Sequence, residues 1–177
     1  MSDLKPDPEL PAAIGAIATL HGEFLLRSGQ TAQIYFDKYR FETDPVLLRR
    51  IATAMIALLP DNVEIVAGLE LGGVPLATAI SLETGLPAAF IRKEAKTYGT
   101  CQAIEGQDIA GRRIVLIEDV ITTGGAVVDA ARLVHAAGGE IIAVVCAVWR
   151  GDGSPAIAGL PDIPVRAAVT KDELLGP

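Results

Sequence analysis

The chain is poor in the residues from which most reactive sites are built. It has two cysteines and two histidines in 177 residues, and only 5% of it is aromatic. Cys101 and Cys146 are far apart and neither has His21 or His135 nearby, which excludes a zinc spacing and a disulfide framework. Cys146 sits in an apolar run and reads as core; Cys101 sits in a polar loop. No apolar run approaches the roughly 20 residues of a membrane-spanning helix. The opening Met1-Ser-Asp-Leu-Lys-Pro-Asp-Pro-Glu9 is polar and acidic, which predicts no secretory leader and a cytoplasmic location. Positive charge is scarce. A net charge of -7 argues against nonspecific nucleic-acid binding, and it requires an anion site to gather its cations locally. No lysine follows a glycine, so there is no Walker A loop, and no G-x-G-x-x-G opens a helix after a strand.

What is plentiful is aliphatic. Half the residues are hydrophobic, a composition that suits parallel strands buried between helices. The length fits a single domain with a sizeable core. Apolar and turn patterns predict a helix over Pro11–Leu20 and strands around Phe24-Leu25-Leu26 and Ile34-Tyr35-Phe36. Asp44-Pro45 opens a helix that Pro60-Asp61-Asn62 stops. Strands and helices then alternate: strand Ile65–Ala67, helix Pro75–Thr84, strand Ala88–Ile91 and a polar segment, Lys93–Gly111. Strand Ile114–Ile117, helix Ala126–Ala137 and strand Ile141–Val148 follow, with an edge strand over Pro164–Val169. The fold class is therefore α/β, a parallel sheet with helices on both faces. Residues 1–60 break the alternation and read as a small N-terminal hood with its helices, 61–150 as the binding core, and 151–177 as a tail.

Ligands of such sheets bind at the carboxyl ends of the strands. There the run Glu118-Asp-Val-Ile-Thr-Thr-Gly-Gly-Ala126 places two carboxylates before a turn of hydroxyls and glycines that opens a helix. Backbone N–H groups, two hydroxyls and a helix N-terminus aimed at one point suit a phosphate. The carboxylates repel that phosphate but suit the hydroxyls of a sugar, or a metal ion beside it. The plain alternative is a β-α turn whose threonine caps the helix. Gly68-Leu-Glu-Leu-Gly-Gly-Val-Pro75 lets the backbone approach a second anion. Arg92, Lys93 and Lys96 concentrate three cations just past a strand end. Arg150 ends the strand after the phosphate turn, where its guanidinium fork matches a carboxylate.

These segments resemble a known family. Glu118–Gly125 resembles the phosphoribosyl pyrophosphate (PRPP) motif of the type I phosphoribosyltransferases. Arg92-Lys-Glu-Ala-Lys-Thr-Tyr-Gly99 is similar to the catalytic loop of orotate phosphoribosyltransferases. Arg27-Ser28-Gly29 with Ile34-Tyr-Phe-Asp37 is similar to their orotate segment, and Gly68–Ala77 to their pyrophosphate loop. The segments occur in the family's order and cover the chain from Phe24 to Arg150.

The resemblance implies transfer of the phosphoribosyl group from PRPP to orotate, with Lys96, Glu118 and Asp119 catalytic. It implies PRPP contacts from Arg92, Lys93, Lys96, Tyr98, Gly72, Gly73 and the motif residues Glu118, Asp119, Val120, Ile121, Thr122, Thr123, Gly124, Gly125 and Ala126. Orotate would meet Arg27, Tyr35, Phe36, Thr122 and Arg150. Mg²⁺ would ride mainly on PRPP, with Glu118 and Asp119 reaching it through water, and a homodimer would share its sites. Three residues depart from the commoner pattern: Tyr98 stands where many members carry histidine, Gly72 where some carry lysine, and Arg27 where lysine is common. A phosphoribosyltransferase for another base and a PRPP-sensing regulator are the competing readings. The latter would need the basic surface that this chain lacks.

Overall fold

The computed structural model describes residues 6–25, 29–93 and 103–175. Its elements in order are α1 (Leu10–Ala18), β1 (Thr19–Leu25), β2 (Thr31–Phe36), α2 (Tyr39–Glu42), α3 (Pro45–Ile56), β3 (Ile65–Leu69), α4 (Glu70–Thr84), β4 (Ala88–Ile91), β5 (Ile104–Gly106), β6 (Arg113–Ile121), α5 (Gly125–Ala136), β7 (Glu140–Trp149), β8 (Val165–Thr170) and α6 (Lys171–Leu175). The main sheet has six strands in the order β5-β4-β3-β6-β7-β8. All its pairs are parallel except the edge pair β4–β5.

Local chemistry explains the element boundaries. Asp44 caps α3, its Oδ1 accepting the N–H groups of Val46 and Leu47 at 2.9 Å each, and Pro45 supplies a preset first turn. Leu47, Ile51, Ala52 and Met55 form the buried stripe of that helix. Gly85, at φ 76°, stops α4 in the left-handed conformation that favours glycine.

The core has two layers. Val115, Ile117, Val145 and Ala147 face α1, α3 and α4, and they pack with Leu10, Ile14, Ile51 and Leu76. Leu116, Val144 and Cys146 face the other way, onto Val127, Ala131 and Val134 of α5. β3 is buried along its whole length, as a central parallel strand must be. The antiparallel pair β1–β2 forms a separate sheet, joined to the body where the Asp37 N–H bonds the Ala18 carbonyl at 2.8 Å.

Several boundaries differ from the sequence expectation. α4 starts at Glu70, not Pro75, so Pro75 lies inside the helix. The carbonyl that Pro75 leaves unbonded belongs to Leu71, which is 70% exposed and open to water. β6 runs on to Ile121 rather than stopping at Ile117, because its pairing with β7 continues through Ile121 and Trp149. Glu118 and Asp119 are therefore strand residues. Leu20 belongs to β1 rather than to the first helix. α2, β5 and α6 were not expected at all.

Candidate active site

The turn after β6 is a helix start without a side-chain cap. Gly124 is the N-cap of α5 at φ 78°, and no side chain bonds the first-turn N–H groups. The threonine-capped alternative is thereby excluded. Thr122, Thr123, Gly125 and Ala126 are exposed, so hydroxyls and first-turn amides are free to meet an anion. Glycine is required at 124 for a second reason. A Cβ there would lie 2.7 Å from Ile157 Cγ1, so the tail segment forms the back wall of the turn. Gly151 completes that wall, since a Cβ on it would come 2.8 Å from the Thr122 carbonyl.

Upstream, the acid pair is buried rather than displayed. Asp119 has no solvent exposure and Glu118 is 6% exposed. Asp119 Oδ2 pairs with Lys38 Nζ at 2.7 Å, and Asp119 Oδ1 accepts the Val120 N–H. Glu118 Oε1 accepts the Asp119 N–H at 3.1 Å. A third carboxyl, Glu42 of α2, is also buried and faces Asp119. Burial pushes the Glu118 carboxyl up to about 9, and the neighbouring Asp119 charge adds to the shift. Glu42 is likewise pushed up to about 9, by burial and then by Asp119. Burial alone would raise Asp119 too, but hydrogen bonds from Glu118, Glu42 and Lys38 outweigh it and hold Asp119 below its ordinary value. The shifts thus favour the neutral form of Glu118 and Glu42 and the charged forms of Asp119 and Lys38.

Lys38 and Glu42 were missed in the sequence. The available signal was the charged run Asp37-Lys38-Tyr39-Arg40-Phe41-Glu42 directly after the aromatic pair Tyr35-Phe36.

The neutral acids make stability depend on pH. Between 4.5, the ordinary carboxyl value, and about 9 the folded chain holds protons on Glu42 and Glu118 that the unfolded chain releases. Stability from this source therefore falls as pH rises through that window. Glu42→Gln should flatten the slope and raise Tm at pH 8.5 by roughly 4 °C, while changing it little at pH 5. Thermal melts of both proteins at the two pH values check this; parallel curves would show that Glu42 is ionised.

At the neighbouring strand end Arg92 and Lys93 are exposed. The Arg92 N–H bonds the Ala103 carbonyl at 2.8 Å, and the Lys93 N–H is taken by Glu70 Oε1. Glu70 adopts φ 51°, the positive-φ non-glycine residue among those described. A cavity of about 280 Å³ is lined by Glu70, Arg92, Lys93, Ala126 and Asp129, so the ends of β3 and β4 and the start of α5 share one hollow. Gly72 and Gly73 bring the first turn of α4 onto β6. A Cβ on Gly72 would lie 1.8 Å from Asp119 Oδ2, and one on Gly73 2.4 Å from the Ile117 carbonyl. A larger groove, about 1110 Å³, runs beside α1 and α3 and contains none of the candidate residues.

On the hood side, Arg150 and Phe36 come together. The guanidinium carbon lies 4.9 Å from the Phe36 ring centroid, and the Arg150 N–H bonds the Ile121 carbonyl at 2.7 Å. Tyr35 is 44% exposed and packs its ring on Phe24 at 5.4 Å. Arg27, Lys96, Tyr98 and Cys101 lie outside the described residues. Cys146 is fully buried, and burial raises its thiol well above the ordinary range. Among the described residues no three His, Cys, Asp or Glu side chains gather to hold a metal ion.

Comparison with known proteins narrows the family. The phosphoribosyl transferase domain matches residues 42–161. An orotate phosphoribosyltransferase of a Nocardioides species is 55% identical over 168 residues, covering 95% of this chain and 94% of its own. The Halobacterium salinarum orotate phosphoribosyltransferase is 39% identical, with 96% of each chain covered. The crystal structure of the Mycobacterium tuberculosis orotate phosphoribosyltransferase with Fe(III) dicitrate superposes at a TM-score of 0.82, with 31% identity and coverage of 94% of this chain and 97% of that one. Its complex with PRPP gives 0.78 at 26% identity, covering 96% and 98%. On sequence and fold together, the chain belongs to the orotate phosphoribosyltransferases, pentosyltransferases of the phosphoribosyl transferase domain family.

Proposed function

We propose that the chain transfers the 5-phosphoribosyl group of PRPP to orotate, giving orotidine 5'-monophosphate and pyrophosphate in pyrimidine nucleotide synthesis. The observation that carries this reading is the meeting of Arg150 with Phe36 beside the uncapped Thr122–Ala126 turn. A guanidinium fork able to pair with a carboxylate and an aromatic ring lie next to a turn of exposed hydroxyls and uncapped amides, and orotate differs from uracil by its carboxylate.

The proposed roles rest on the family resemblance and, for the described residues, on where they lie. Thr122, Thr123, Gly124, Gly125 and Ala126 grip the 5'-phosphate through amides and hydroxyls, with Val120 and Ile121 leading the strand into them. Glu118, which keeps 6% exposure, serves the ribose hydroxyls, and Asp119, buried behind it, holds it in place and adds negative charge that favours the positive charge developing at the anomeric carbon. The orotate ring nitrogen forms its bond to that carbon as the carbon–pyrophosphate bond breaks, and both electrons of that bond leave with pyrophosphate. Arg92, Lys93, Lys96 and Tyr98, with the backbone at Gly72 and Gly73, receive the departing pyrophosphate. Tyr98 donates a hydrogen bond there but, with an ordinary value near 10, is a poor proton shuttle at neutral pH. Arg150, Tyr35, Phe36, Thr122 and Arg27 hold orotate. Mg²⁺, when bound, would offset the negative charge of the substrate's oxygens; of the acid pair Glu118, which keeps 6% exposure, is the one able to reach its water ligands, while Asp119 is closed off from them.

The enzyme acts as a homodimer in the cytoplasm, with Lys96 completing the partner's site. Among the described residues no helix is long and apolar enough to cross a membrane.

Loss of orotate absorbance with PRPP and Mg²⁺, repeated with uracil, hypoxanthine and adenine, tests the reading. Turnover is expected with orotate alone. Turnover of a purine would assign another base, and binding of PRPP without turnover of any base would indicate a regulator.

A further inference from the structure

We propose that Lys38 is a positioning residue for the transfer, acting on the ribose through Asp119 and Glu118. The inference rests on the reading that this acid pair serves the ribose.

Asp119 is enclosed from every direction. It has no exposure, the first turn of α4 leaves no room for a Cβ on Gly72 above its Oδ2, and the buried Glu42 carboxyl faces it. A carboxylate so enclosed is costly unless a cation meets it. Among the described residues the ion pair that does so is with Lys38, at 2.7 Å. The ammonium comes from outside the main sheet, from the link between β2 and α2, two residues after Phe36. Its side chain is 35% exposed, so it reaches Asp119 from the surface rather than lying in the core.

The contacts form a relay. Lys38 fixes the Asp119 carboxylate, and the Glu118 carboxyl meets Asp119 both at that carboxylate and at its main-chain N–H, the latter at 3.1 Å. With Lys38 present, Asp119 is an anchored anion and Glu118 is held in one orientation at the end of β6. Without it, three carboxyls share a pocket with no counter-charge, and the pair loses the geometry that a ribose diol needs. A residue acting in this way should influence PRPP far more than orotate, and should influence nothing once Asp119 has lost its charge.

A double-mutant cycle reads this directly. Lys38→Met should lower kcat/KM for PRPP at least about tenfold while shifting the orotate KM by no more than about twofold. Placed on Asp119→Asn, the same change should add little. Lys38→Arg should keep most of the activity. Ethylamine, but not ethanol, should restore part of the activity of Lys38→Ala, which a structural defect would not allow. Additive losses in the cycle, or a PRPP defect in Asp119→Asn with normal kinetics in Lys38→Met, would overturn this inference alone. Unchanged PRPP kinetics in Asp119→Asn would remove the acid-pair reading as well.

Discussion

Arg150→Ala should raise the KM for orotate about 10- to 100-fold and leave the KM for PRPP within about threefold, since Arg150 is exposed and a hydrogen bond to a charged group contributes about 1.5–3 kcal/mol. The asymmetry follows from position. Arg150 follows the last residue of β7, and its guanidinium lies over Phe36, whereas the phosphate turn is built from backbone and hydroxyls that Arg150 does not supply. The Arg150 N–H bond to Ile121 is a main-chain contact and survives the substitution, so the turn keeps its shape. Initial-rate kinetics with each substrate varied in turn check the split. Equal losses for both substrates would mean that Arg150 supports the site generally, and the assignment of the carboxylate subsite would fail. Arg150→Lys should recover only part of the loss, because an ammonium cannot form the two parallel bonds of a guanidinium.

Gly72→Ala should be nearly as damaging, for a steric reason. The new methyl would sit 1.8 Å from Asp119 Oδ2 and 2.4 Å from its Cγ, so either the carboxylate or the helix must move. Moving the carboxylate breaks its contact with Lys38; moving the helix lifts the first turn of α4 off β6. Overpacking of this kind costs about 1–3 kcal/mol, and kcat/KM for PRPP should fall on the order of 10- to 100-fold. Thermal melts and PRPP kinetics measure the two parts. A variant with wild-type melting and wild-type kinetics would mean that Asp119 is not held where this structure holds it.

Much of this architecture could be read in the residues. The aliphatic runs at Ile65, Ala88, Ile114 and Ile141 are strands because buried parallel strands leave no polar face to interrupt them. Asp44-Pro45 marks a helix start because both the cap and the first-turn geometry are local properties of those residues. The turn at Thr122–Gly125 was legible for the same reason, and the family of the chain through it.

What escaped was non-local or too short to carry a period. α2 spans four residues and β5 three, less than a periodic pattern needs. The start of α4 was misplaced because proline favours a first turn, whereas here it sits deeper and the pair Gly72-Gly73 makes the close approach to β6 possible. The Asp119–Lys38 pair joins residues distant in sequence, and no local rule predicts that an acid beside a sugar-binding turn will be sealed from water. Adjacent carboxylates suggest display; in the fold they are neutralised and interlocked.

Ile157 gives the shape of the turn a remote author. Its side chain occupies the space behind Gly124, although it lies beyond the final strand-end arginine and touches the turn from the rear. Transplanting the strand, turn and opening helix into a foreign sheet would carry over the amides and hydroxyls but leave behind the buttress that curves them, so the recipient would inherit the motif's letters without its concavity.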